Sequence, residues 1–140
     1  MSTSTMPSTA SSNSLLTVLR ITSIVMALGV LLQAWLGSTG FFQGEPGRID
    51  VHAMVGNFLF LLSIIQAGVA VIAMQRGFPT RTILYLSIAT VLLTVAQIGL
   101  GYSTRDSVDA LAWHLPTGVA LMGLTTVNAV LVYQVRSRNA

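Results

Sequence analysis

The sequence has no cysteine and no lysine, and only 8% of its 140 residues are charged. Without cysteine there is no disulfide frame, no thiolate metal site and no covalent haem attachment through Cys-x-x-Cys-His. Seven arginines against four acids give a net charge of +3, but they form no patch or stripe that could follow a phosphate backbone, which excludes nucleic acid as a partner. Soluble domains carry about 25% charged residues, so this chain cannot coat a water-facing surface. A Gly-rich phosphate loop, a His-Glu-x-x-His helix and a Ser-His-Asp order are all missing. What remains is a chain that is 53% hydrophobic, read as one integral-membrane domain with lipid as its first partner.

Residues 1–14 are Ser/Thr-rich and uncharged, and are expected to be a disordered N-terminal tail. A cleaved signal peptide is disfavoured, because a basic n-region is missing and the following apolar run is too long. Four apolar runs follow, at about 15–37, 53–74, 83–101 and 111–133. Each approaches the ~20 residues that cross ~30 Å of hydrocarbon as a helix. Lipid offers no hydrogen-bond partners, so the runs are helices. Gly77 and Pro79 break the chain between the second and third runs. Short connections predict an all-α, antiparallel bundle of four transmembrane helices over residues 15–133, with a cytoplasmic tail at 134–140. Arg20, Arg76, Arg81, Arg136 and Arg138 fall on one side. Arg48 and Arg105 fall on the other, with Glu45, Asp50, Asp106 and Asp109. The positive-inside rule then predicts a multi-pass protein of the bacterial cytoplasmic (plasma) membrane, both termini cytoplasmic, with Trp35, Phe41, Phe42, Tyr102 and Trp113 as an outer aromatic belt.

One stretch occurs twice. Gln33-Ala-Trp-Leu-Gly37, His52-Ala-Met-Val-Gly56 and Gln66 match Gln97-Ile-Gly-Leu-Gly101, His114-Leu-Pro-Thr-Gly118 and Asn128. The offset is 62 residues from histidine to amide and 64 for the Gln-x-x-Leu-Gly pieces. Each copy reads helix, outer loop, helix, so the bundle is expected to be two parallel helix-pair repeats that place equivalent residues at equal depth across the centre. His52 and His114, the only histidines, then become the two axial ligands of one haem iron, taken from facing helices. Gly56 and Gly118, one turn below, leave room for a macrocycle or for close helix approach, and Gly37 and Gly101 could do the same. Arg48 and Arg105 are candidates to pair with haem propionates. Asp50 and Asp109 are either second partners for the imidazoles or helix N-caps. Pro116 either kinks its helix or starts it. Gln33, Gln97, Gln66 and Asn128 read as interhelical hydrogen-bonders. A Zn or Cu site at His52 and His114 has no third ligand placed by the repeat.

At these residues the chain resembles one half of the haem A synthase family, and also small four-helix bacterial membrane proteins with two helix-start histidines. The likeness lies in Gln97-Ile-Gly-Leu-Gly101 with Trp113-His114-Leu-Pro-Thr-Gly118, and more weakly in Gln33–Gly37 with His52–Gly56. It implies bis-histidine haem binding at His52 and His114. It departs from that family at Ile49, where the family has a glutamate, and in having one half and one haem site. The expectation is a small b-type haem protein carrying one haem b near the outer leaflet, with an electron-transfer or redox role. A quinone or a redox protein is the expected electron partner, and a homodimer could rebuild eight helices. The alternatives are a cofactor-free accessory subunit of a membrane complex and a haem-modifying enzyme.

Overall fold

The computed structural model describes residues 9–78 and 80–135. The first eight residues of the expected tail, the breaker Pro79 and the C-terminal residues 136–140, with Arg136 and Arg138, lie outside the described residues. Four helices make up the fold: α1 (Thr9–Phe42), α2 (Pro46–Gln75), α3 (Arg81–Ser103) and α4 (Val108–Gln134). Each contains a stretch long and apolar enough to span a bilayer. Sequence neighbours pack together, and α4 returns against α1, so the helices close an antiparallel ring.

The helices outrun the apolar stretches that predict them. Helix α1 already begins at Thr9 and ends at Phe42, and α2 begins at Pro46, so most of 38–51 is helical and not loop. Hydropathy marks where hydrocarbon ends, whereas a helix continues until its backbone is turned. Gly44 and Gly77 make the turns, with φ of 64° and 81°, values that favour glycine. At the end of α1, Glu45 N donates to Gly40 O (2.9 Å) and Gly44 N to Phe41 O (3.4 Å). At the end of α2, Phe78 N donates to Ala73 O (3.1 Å) and Gly77 N to Met74 O (3.0 Å). Both are Schellman closures, which satisfy carbonyls that a helix end leaves free. Helix α4 starts on Ser107, whose side chain accepts from Ala110 N (3.2 Å). Asp109 therefore sits in the first turn, and Pro116 lies inside the helix. The cap of α2 is Glu45, followed by Pro46, so Asp50 is not a cap either.

Buried residues stack in layers along the bundle axis. At the end holding the α2–α3 turn, Leu16, Leu19, Ala70, Ala73, Phe78, Ile83, Leu84, Val132 and Val135 form one apolar cluster. There the Arg20 guanidinium donates to the Val135 carbonyl (2.8 Å) and lies over the Tyr133 ring (5.6 Å). A cation on the carbonyl end of α4 is favoured by the helix dipole, and it ties α1 to α4. Next comes a polar layer of Ser23, Ser63, Gln66, Ser87, Thr125 and Asn128, all buried. A second apolar cluster, Met26, Val30, Leu59 and Leu121, separates that layer from the histidines.

Candidate functional site

His52 lies in the second turn of α2 and His114 in the second turn of α4. The two helices sit diagonally in the ring, yet their imidazoles meet, with centroids 6.1 Å apart and planes 71° apart. Both rings are half-buried. The neighbouring helix of each pair positions them. Gln33 on α1 donates through Nε2 to the His52 carbonyl (2.8 Å), and His52 Nδ1 lies 3.0 Å from the Gln33 carbonyl. A carbonyl only accepts, so the His52 proton is on Nδ1 and Nε2 carries the free lone pair. The same two residues thus hold each other in both directions. This meets the usual requirement that a ligating imidazole donate its other N–H.

Gln97 on α3 repeats half of that arrangement. Its Nε2 donates to the His114 carbonyl (3.0 Å) and also reaches Thr117 Oγ1. Thr117 itself donates to the carbonyls of Trp113 (2.7 Å) and His114 (3.2 Å). His114 Nδ1 is buried beside the Gln97 backbone without completing a hydrogen bond.

The glycines divide the work. A Cβ on Gly37 would stand 3.0 Å from His52 Cε1, and one on Gly101 would stand 3.2 Å from His114 Cε1. These two positions seat the imidazoles. A Cβ on Gly56 would stand 2.9 Å from Gln33 Nε2, and one on Gly118 would meet Gln97 Oε1 at 3.6 Å. Gly56 and Gly118 therefore face the glutamines and admit the amides that grip the histidine backbones.

The charged residues at the histidine end of the bundle lie beyond the rings. Arg48 pairs with Glu45 (2.6 Å) and stacks over Trp35 (5.5 Å), while Arg105 stacks over Tyr102 (5.8 Å). Asp50 and Asp109 are exposed, and the partner of the His52 N–H is the Gln33 carbonyl. Gln33 and Gln97 make the interhelical hydrogen bonds expected of them, though onto the histidine backbones, and sequence reasoning passed over Thr117. The available signal was that Gln-x-x-Leu-Gly and His-x-x-x-Gly recur together. Among the described residues, no group of three or more His, Cys, Asp or Glu could hold a metal ion. In comparisons with known proteins, no family model matches this chain, no curated protein matches it and no solved structure matches it.

Proposed function

We propose that this four-span membrane protein is a small b-type haem protein, with His52 and His114 as the axial ligands of one haem b. The separation of the two rings carries the reading. An imidazole nitrogen sits about 2 Å from a metal it ligates and about 1 Å from its own ring centre, so two rings flanking one ion have centres about 6 Å apart. The observed 6.1 Å agrees. The residues present fit the group: His52 presents a deprotonated Nε2, its other nitrogen is held by Gln33, and Gly37 and Gly101 leave each ring a side-chain-free seat. With no cysteine, attachment is non-covalent. Bound haem would supply one-electron redox chemistry; the chain supplies ligation, ring orientation and partial exclusion of water.

Placement at the outer leaflet of a bacterial plasma membrane, termini inside, is supported by the arginines of the 75–82 turn and the acids near the histidines. Two apolar clusters and a polar layer lie between the histidines and the far end of the bundle. Electron exchange therefore belongs at the outer face, with a quinone or a redox protein as partner. The likeness to one half of haem A synthase keeps haem modification as a further outcome, read by the mass of extracted haem.

A second reading is favoured by the 71° angle. Edge-to-face rings also pack with centroids about 4.5–7 Å apart, which suits a cofactor-free accessory subunit. One spectrum separates the two readings. Protein expressed with haem and purified in detergent should show a Soret band and sharp reduced α/β bands. Both bands should be lost in His52→Ala and in His114→Ala. A folded, colourless wild-type protein would refute the haem reading and leave the accessory subunit.

A further inference from the structure

The polar layer beneath the histidine site has its own hydrogen-bond pattern. Gln66 Nε2 donates to Ser23 Oγ (3.0 Å), and Asn128 Nδ2 donates to Ser87 Oγ (3.1 Å). All four residues are 1–2% exposed, and one comes from each helix. Ser23 Oγ gives its own hydrogen to the Leu19 carbonyl (2.7 Å), so it can only accept from Gln66. That fixes the Gln66 amide with Nε2 toward Ser23 and Oε1 free. Gln66 Oε1 and Asn128 Oδ1 are buried and bonded to nothing. The hydroxyls of Ser63, Thr125 and Thr90 do not serve them, and Ser87 could serve only Asn128 Oδ1, by turning that amide and leaving both of its N–H hydrogens unmet. Ser63 donates to Phe60 O (2.7 Å), Thr125 to Leu121 O (3.0 Å) and Thr90 to Leu86 O (2.8 Å), each within its own helix.

The unmet demand is specific. Each amide has one acceptor oxygen free, and each has used only one of its two N–H hydrogens. A guest that both donates and accepts answers both. An alkali cation would satisfy the oxygens and oppose the amide hydrogens, and no carboxylate is present to offset its charge in the bundle interior. We infer that the Gln66–Asn128 layer is a binding site for internal water, held at the amide oxygens in the middle of the bundle. Apolar clusters above and below, around Leu59 and Leu121 on one side and Leu19 and Val132 on the other, close the site off from both ends. Water enclosed in this way bonds to otherwise unsatisfied buried groups and exchanges slowly.

Met26 is a built-in reporter. It is 1% exposed and lies one turn from Ser23. X-ray hydroxyl-radical footprinting of the full-length protein in lipid nanodiscs should oxidise Met26 despite its burial. The oxygen label should appear slowly after transfer to ¹⁸O water. Gln66→Leu/Asn128→Leu should abolish the Met26 signal and leave Met74, beside the α2–α3 turn, labelled as before. An unlabelled Met26 in the wild-type protein, at a dose that labels Met74, overturns the inference whether or not the variant folds. So does a Met26 signal that persists in the folded variant. A third arm compares unfolding midpoints in sodium, potassium and choline chloride at equal ionic strength. Equal midpoints are expected, and a rise in sodium or potassium would overturn water in favour of a bound cation.

Discussion

The two halves of the bundle hold their histidines with different sets of bonds. In the α1–α2 half, Gln33 and His52 bond each other in both directions, side chain to backbone each way. In the α3–α4 half the return contact, from His114 Nδ1 to the Gln97 backbone, is looser, and Thr117 also grips the glutamine. Val55 stands where Thr117 would be in the first half. Pro116 precedes Thr117 and has no N–H to give the preceding turn, so local side-chain bonds carry more of that segment. One ring is thus fixed by a well-formed bond at its own nitrogen, and the other by a poorer contact at the equivalent nitrogen. A well-formed bond at a ring nitrogen keeps tautomer and angle; a poorer one lets the ring turn further. His52 should therefore be the stiffer of the two.

The largest expected difference comes from the glycines that seat the rings. Gly37→Ala brings a methyl to 3.0 Å from His52 Cε1 and 3.1 Å from Nδ1, so the ring must shift by a few tenths of an ångström and strain its bond to Gln33. Overpacking costs about 1–3 kcal/mol, against a helix gain of about 1 kcal/mol for alanine over glycine, which nets to a loss of about 0–2 kcal/mol, and the strained Gln33 bond puts the expected value toward the upper end. Gly101→Ala meets His114 Cε1 at 3.2 Å and Nδ1 only at 3.7 Å, so the ring has less to give and the change should be close to neutral. Reversible unfolding in detergent checks both. Equal losses would mean that the two rings are held alike. If haem binds, Gly37→Ala should also lower haem content more than Gly101→Ala.

A smaller split is expected one turn away. Gly56→Ala places its methyl 2.9 Å from Gln33 Nε2 and displaces an amide bonded to His52 O at 2.8 Å. Losing that bond costs about 1 kcal/mol and cancels the helix gain. Gly118→Ala meets Gln97 at ordinary contact distance, 3.6 Å, and should raise stability by about 0.5–1 kcal/mol. A stabilised Gly56→Ala protein would show that Gln33 has room to yield.

These contrasts mark what the sequence could and could not disclose. Four helices and their antiparallel order were legible, because twenty-residue apolar runs with short connections leave few alternatives. Their ends were not, since Gly44 and Gly77 act through backbone angle, which hydropathy does not record. The meeting of His52 and His114 was expected from the matched offsets. The bonds that orient them were invisible, because the Gln33 and His52 carbonyls are present in every sequence and only helix rotation brings them opposite side chains. Rotation also decided that Gly37 and Gly101 face the rings while Gly56 and Gly118 face the amides.

Thr117→Val should have the smallest effect, and it tests the comparison from the other direction. The change keeps the side-chain shape and gives the second half the residue type that the first half has at Val55. Gln97 keeps its bond to the His114 carbonyl (3.0 Å) and loses its contact with the Thr117 hydroxyl. The hydroxyl's own bonds run to carbonyls already inside α4, so their loss adds little. The expected destabilisation is at most about 1 kcal/mol, measured by the same unfolding assay, with no change in any haem spectrum. A loss as large as that of Gly37→Ala would reverse the ranking: the threonine grip, and not the seating of the rings on glycine, would then be what fixes the histidine layer.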